Sequence, residues 1–234
     1  MRLYALKASE VLEQMTMQQR QESLSLLCVS RQEKVKRLRN EELKDKSMLT
    51  GLLIGYGIFM WITQPEQEMQ MKNITDIELL LQKNREYEKW YGKPKIAFGA
   101  EGKPYFPMHA EIHFNVSHSG DYILLAVAKE EVGIDIEEIT SSNMDVAKRC
   151  FHEKEYKALQ ASDGKLDLQK ELFYTYWAAK ESYVKCTGKG LSQSFSSFWV
   201  DLEQGVVWED EKTKFHITML EVDSQYKAAV CMIT

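Results

Sequence analysis

Val132-Gly133-Ile134-Asp135-Ile136-Glu137 alternates apolar and acidic residues directly after a glycine. In an extended segment residues two apart share a face, so Asp135 and Glu137 present two carboxylates together while Ile134 and Ile136 turn into a core. Two adjacent carboxylates repel unless a cation or a proton lies between them, and hard oxygen donors suit magnesium. The same acids at the end of a solvent-facing strand would need neither.

Downstream runs Trp177-Ala178-Ala179-Lys180-Glu181-Ser182-Tyr183-Val184-Lys185. On a helix Glu181 and Lys185 are four apart and lie on one face, the spacing of an ordinary surface ion pair. Phe173, Tyr174, Tyr176, Trp177 and Tyr183 leave little of this helix free to be surface. Thr187-Gly188-Lys189-Gly190-Leu191 follows as a glycine-rich exit that ends a helix tightly.

The surroundings are those of a globular protein of 234 residues, 44% hydrophobic and 28% charged, with only 4 Pro and 12 Gly. That length allows one large domain or two small packed ones. A net charge of -5 argues against a protein devoted to non-specific nucleic-acid binding. Cys28, Cys150, Cys186 and Cys231 stand far apart without a C-x-x-C pair, which fits neither a zinc site nor a disulfide framework. Unpaired thiols suit a reducing compartment, so the chain reads as cytoplasmic. The apolar run Met48 to Ile62 is shorter than the roughly 20 residues of a bilayer span. It reads as a helix buried on all sides, with no membrane partner.

Along the chain, a strand is expected near residues 2–7, then a polar helical region. Ser30-Arg31-Gln32-Glu33 has the pattern of a capping box opening the next helix. Asn40 can cap the one after, with Glu41 and Glu42 in its first turn. Strands are expected over 96–98, 112–116 and 122–128, with a turn at Glu101-Gly102-Lys103-Pro104. In the second half the pattern predicts a strand over 132–137, helices over 145–160 and 168–186, and strands over 198–202, 215–220 and 226–232. Strand, helices, long buried helix and antiparallel strands thus occur twice. The expected fold is α+β: two similar lobes, residues 1–130 and 131–234, related by a pseudo-two-fold axis, with a ligand cleft at their seam.

The two motifs together, G-I-D-I-E and W-x-x-K-E-S-Y-V-K at this separation, resemble the signature pair of the 4'-phosphopantetheinyl transferases. The resemblance is to the large duplicated class that activates surfactin synthetase, and it runs over most of the chain. Phe114-Asn115-Val116-Ser117-His118-Ser119-Gly120 is similar to that class's strand ending in a Ser-His pair. Gly102-Lys103-Pro104 is similar to its coenzyme A loop, and Tyr226-Lys227-Ala228-Ala229-Val230-Cys231 to its last strand. Arg31, Lys34 and Lys46 fall where the class carries basic residues, Arg31 and Lys46 with the other basic residue type.

The resemblance implies a phosphopantetheinyl transferase fold and a reaction. Asp135, Glu137 and Glu181 would hold magnesium, completed by the pyrophosphate of coenzyme A. A serine of an apo carrier protein would attack the phosphorus bearing the pantetheine arm, and adenosine 3',5'-bisphosphate would leave. Such a transfer needs positioning and charge neutralisation above all. Lys185 would contact phosphate, and Glu181 would serve as base directly or through water. Arg31, Lys34, Lys46, Gly102, Lys103, Pro104, Ser117 and His118 would bind coenzyme A. His118, as a lone strand histidine, could equally be structural, and Lys36, Arg37 and Arg39 could be a solvated face or dock the carrier. The chain is expected to act as a monomer.

Two other readings compete. Ser182-Tyr183-Val184-Lys185 matches the S-x-x-K motif of penicillin-recognising enzymes, but those also need S-D-N and K-T-G. K-T-G is absent, and Ser141-Ser142-Asn143 is only near S-D-N. A non-catalytic module that binds carrier domains or coenzyme A would be marked by loss of an acid, and all three are present.

Overall fold

A computed structural model describes the chain except residues 65–69, 142–143, 163, 210–214 and 234. The Ser142-Asn143 pair of the near S-D-N match lies outside the described residues. Two compact units divide the chain. One holds Met1–Gly99, Pro104–Val116 and Asp121–Lys129; the other holds Ala100–Lys103, Ser117–Gly120 and Glu130–Thr234.

The first unit begins with strand β1 (Arg2–Lys7), then helices α1 (Ala8–Glu13), α2 (Met17–Leu26), α3 (Val29–Arg37) and α4 (Glu41–Thr63). Strand β2 (Met71–Ile74), helix α5 (Ile77–Tyr91) and strands β3 (Ala97–Phe98), β4 (Pro104–Tyr105), β5 (His113–Ser119, its last three residues belonging to the second unit) and β6 (Tyr122–Ala128) follow. Its sheet runs β2-β1-β6-β5, with β1 parallel to β2 and antiparallel to β6.

Asn40 caps α4 as expected, its side chain accepting from the Leu43 amide at 3.0 Å. The body of α4 is buried from Ser47 to Met60, apart from the half-buried Gly51. It is long and apolar enough to cross a membrane by length and composition, yet 72% of its most apolar window is buried inside the fold. Its glycines admit close neighbours. A Cβ at Gly57 would meet the Leu125 side chain of β6, and one at Gly55 would meet the Asn84 amide of α5. Asn84 donates to the carbonyls of Leu52 and Leu80 at 2.9 and 2.8 Å, joining α4 to α5.

The capping box expected at Ser30 does not form. Helix α3 starts two residues earlier, with Cys28 as its N-cap and no side-chain cap bond. Ser30 is already inside the helix, where its hydroxyl lies 3.4 Å from the Cys28 thiol. The box forms instead at Thr16 and Gln19, ahead of α2.

The second unit contains β7 (Val132–Glu138), α6 (Met144–Cys150), α7 (Glu153–Ala161) and α8 (Leu166–Thr187), two short 3-10 turns, then β8 (Trp199–Asp201), β9 (Val206–Trp208), β10 (Phe215–Leu220) and β11 (Tyr226–Ile233). The expected helix over 145–160 is two helices, because His152 caps α7 in a reciprocal box with Glu155. The sheet order is β7-β11-β10-β9-β8, so the last strand of the chain lies between the first and the rest. Helix α8 packs on this sheet through Phe173, Ala178, Ala179 and Tyr183. It ends where Gly188 adopts the left-handed conformation (φ 69°) and returns its amide to the Val184 carbonyl at 3.1 Å. The architecture is α+β, with a sheet and a long buried helix in each unit.

Candidate active site

Gly133 sets the spacing of the site. A Cβ there would lie 2.0 Å from the Ser182 carbonyl oxygen and 2.3 Å from the Cys186 nitrogen, both backbone atoms of α8. Strand β7 therefore lies directly on the helix, and Asp135, two residues on and on the same face, meets the next side chain along it. The Lys185 ammonium donates to Asp135 Oδ1 at 2.5 Å and to Ser117 Oγ at 3.0 Å. Ser117 Oγ donates to the same Oδ1 at 2.8 Å.

Asp135 is 2% exposed, and its second oxygen, Oδ2, is buried with no hydrogen-bond partner. Burial raises its pKa, while Lys185, Ser117 and the Ile136 amide pull the other way. Glu137 is pushed up to about 7, by burial first and by the Asp135 charge second, with Lys185 and Ser119 opposing. Glu181 is raised too, by burial and then by Asp135, against Lys185. The three acids thus feel one another through a partly desolvated space in which Lys185 is the cation that opposes them. Among the described residues no group of three or more His, Cys, Asp or Glu side chains is already placed to hold a metal ion. The donor set nonetheless fits a hard cation: carboxylate oxygens, one of them orphaned and buried, with excess negative charge.

Lys103 stands at the end of α8. Its ammonium is bound to Glu131 at 2.5 Å and to the Cys186 carbonyl, in the last turn of α8, at 2.8 Å. Gly102 before it has φ 83° and open space where a Cβ would stand, so it serves the turn rather than a close approach. His118 is exposed at the tip of β5.

In the first unit Arg31 and Lys34 line a cavity of about 210 Å³, with Phe98, Pro104 and Phe114 among its apolar walls. Burial lowers the pKa of both cations, and for Lys34 the Arg31 charge adds to it. Neither has an acidic partner among the described residues. Lys46 does not line this cavity; its ammonium is paired with Glu42 at 2.5 Å.

Sequence reasoning missed two features. Lys180, inside the quoted helix motif, is 0% exposed and donates to Glu155 at 2.8 Å and to the Phe198 carbonyl at 2.9 Å. Glu155, 1% exposed, also accepts the Val200 and His152 amides. This pair ties α7, α8 and β8 together, and burial lowers the Lys180 pKa to about 8. The signal was present as a lysine beside Glu181 that cannot share its face. The second is Ser119, whose hydroxyl accepts the Glu138 amide at 3.0 Å and donates to Glu137 at 3.3 Å.

Known proteins resemble the chain in sequence. The profile of the 4'-phosphopantetheinyl transferase superfamily matches residues 131–231. The chain is 39% identical over 154 residues to 4'-phosphopantetheinyl transferase Sfp of Bacillus subtilis strain 168, covering 63% of this chain and 67% of that one. It is 42% identical over 142 residues to another Bacillus subtilis 4'-phosphopantetheinyl transferase, covering 58% and 62%. With 4'-phosphopantetheinyl transferase gsp of Aneurinibacillus migulanus it is 34% identical over 169 residues, covering 70% and 63%. The chain therefore spans a little under two thirds of the length of two of these relatives.

Proposed function

Because the chain belongs to the 4'-phosphopantetheinyl transferases, we propose that it moves the phosphopantetheine arm of coenzyme A onto a serine of an apo carrier protein. The observation that carries this reading is Asp135, buried with one oxygen orphaned, in electrostatic contact with Glu137 and Glu181.

In this reading the serine oxygen bonds to the phosphorus bearing the pantetheine arm. The bond from that phosphorus to the bridging oxygen breaks, and adenosine 3',5'-bisphosphate leaves with the electron pair. Glu181 takes the serine proton, directly or through water. Lys185 stabilises the leaving phosphate, and Ser117 steadies the Lys185 ammonium until then. Asp135, Glu137 and Glu181 would hold magnesium, which when bound neutralises pyrophosphate charge. Arg31 and Lys34 take the 3'-phosphate, since their charges are partly desolvated and unpaired by acids among the described residues. Pro104 walls the same cavity. Lys46, Gly102 and His118 stay in the proposed coenzyme A set, and Lys103 acts on it through the end of α8. We place the enzyme in the cytoplasm as a monomer, with its four free cysteines reduced.

The test is mass spectrometry of a panel of folded apo carriers incubated with the protein, coenzyme A and magnesium. One phosphopantetheine should be added at the carrier serine, and chelation of magnesium should stop the transfer. A folded protein that modifies none of the panel refutes the assignment.

A further inference from the structure

Resting on the transferase reading above, we propose that Ser119 is a positioning residue that holds Glu137 in the orientation metal binding needs. Ser117 and Ser119 are two apart at the tip of β5, and Asp135 and Glu137 are two apart on β7. Each serine donates to one acid, Ser117 to Asp135 at 2.8 Å and Ser119 to Glu137 at 3.3 Å. The two pairs have the same separation of 18 residues, so a ladder of hydroxyls faces a ladder of carboxylates.

Ser119 has one further bond that makes it directional. Its oxygen accepts the Glu138 amide at 3.0 Å. A hydroxyl has one proton and two lone pairs, so with the amide on a lone pair the proton is available to Glu137 Oε2. The backbone of β7 thereby fixes the serine, and the serine fixes the side chain that follows Asp135 on the same face. Glu137 has more rotatable bonds than Asp135 and is less buried, so it gains most from such a hold. The position of Ser119 is set in turn by Gly120 (φ 49°), where a Cβ would lie 2.2 Å from the Tyr226 hydroxyl oxygen and 2.6 Å from Glu138 Oε2.

The test measures Mn²⁺ binding by electron paramagnetic resonance, on the full chain with coenzyme A present and no carrier. Ser119→Ala should weaken Mn²⁺ by about tenfold, the lower range for a hydrogen bond to a charged group given its length. The KM for coenzyme A at saturating metal should stay within twofold. Ser119→Thr, which keeps the hydroxyl, should restore binding to within threefold, which a purely structural role would not require. If Ser119→Ala binds Mn²⁺ within twofold of the parent, or raises the coenzyme A KM as much as the metal Kd, the inference is overturned and the transferase reading stands. If the parent binds no Mn²⁺ with coenzyme A, the metal part of that reading falls, and the inference with it.

Discussion

Replacing Gly133 by alanine tests the packing on which the site depends. The added Cβ would stand 2.0 Å from the Ser182 carbonyl oxygen, 2.3 Å from the Cys186 nitrogen and 2.9 Å from the Cys186 Cα. Ordinary contact begins near 3.4 Å, so the strand and the helix must part by more than an ångström. No flexible side chain is available to absorb that, because all three obstacles are backbone. Overpacking of a core costs about 1–3 kcal/mol, and a backbone clash belongs at the upper end. For a chain of this size about 3 kcal/mol lowers Tm by roughly 6–12 °C. The same displacement separates Lys185 from Asp135, and a shift of this size in a catalytic constellation can cost about a hundredfold in rate. Gly57→Ala is the control. Its nearest neighbour is the end of the Leu125 side chain at 2.5 Å, and a helical Gly→Ala change returns up to about 1 kcal/mol. Calorimetry should therefore show a large drop for Gly133→Ala and a change of a few degrees for Gly57→Ala. A Gly133→Ala protein that melts within about 2 °C of the parent and transfers at the parent rate refutes the reasoning.

Three further predictions follow from the electrostatics. Glu137 titrates at about 7 in the folded protein against 4.5 unperturbed, so its protonated form is favoured by folding and that stability is lost as pH rises from 4.5 through 7. Glu137→Gln removes the loss; without metal, its stability relative to the parent should grow by about 1 kcal/mol from pH 5 to 8, allowing for screening of a half-exposed group. A constant difference in urea titrations across that range counts against the shared acid cluster. Lys180→Met leaves the Glu155 carboxylate buried without a counter-charge and should cost about 3–5 kcal/mol in urea unfolding; a cost under about 1 kcal/mol excludes a buried ion pair there. Lys34→Ala should raise the KM for coenzyme A roughly ten- to a hundredfold with kcat little changed, and affect dephospho-coenzyme A much less; parallel losses for the two cofactors remove Lys34 from the 3'-phosphate site.

What could be read from the sequence was local. Asn40 ahead of Glu41 and Glu42, the Gly188 exit and the alternation from Gly133 to Glu137 each rest on neighbours a few residues apart, and each appears as expected. Helix α5 was equally local and still missed: Asp76 caps it, and Ile77, Leu80, Leu81, Asn84 and Tyr87 form its buried stripe. Ser30 shows the limit of pattern alone, because Thr16-Met17-Gln18-Gln19 fits the same box and only packing decides which one closes. The site contacts that escaped are long-range. Lys103 reaches a carbonyl 83 residues away and Lys180 a carboxylate 25 away. No periodicity encodes those distances; they follow from how the sheet and α8 bring remote segments together.

The position of β11 bears on the order in which the protein is made. It pairs with β7 from Tyr226 opposite Glu138 to Met232 opposite Val132, and with β10 along its other edge. Synthesis makes β7 well before β11, so the strand bearing Asp135 and Glu137 lacks its described sheet neighbour until β11 has emerged. Ser117, Ser119 and Lys103, all belonging to the second unit, have by then been waiting even longer. The first unit's sheet has all its strands once β6 is out. A nascent chain should therefore carry one finished unit while its acids remain unassembled until β11 has been made.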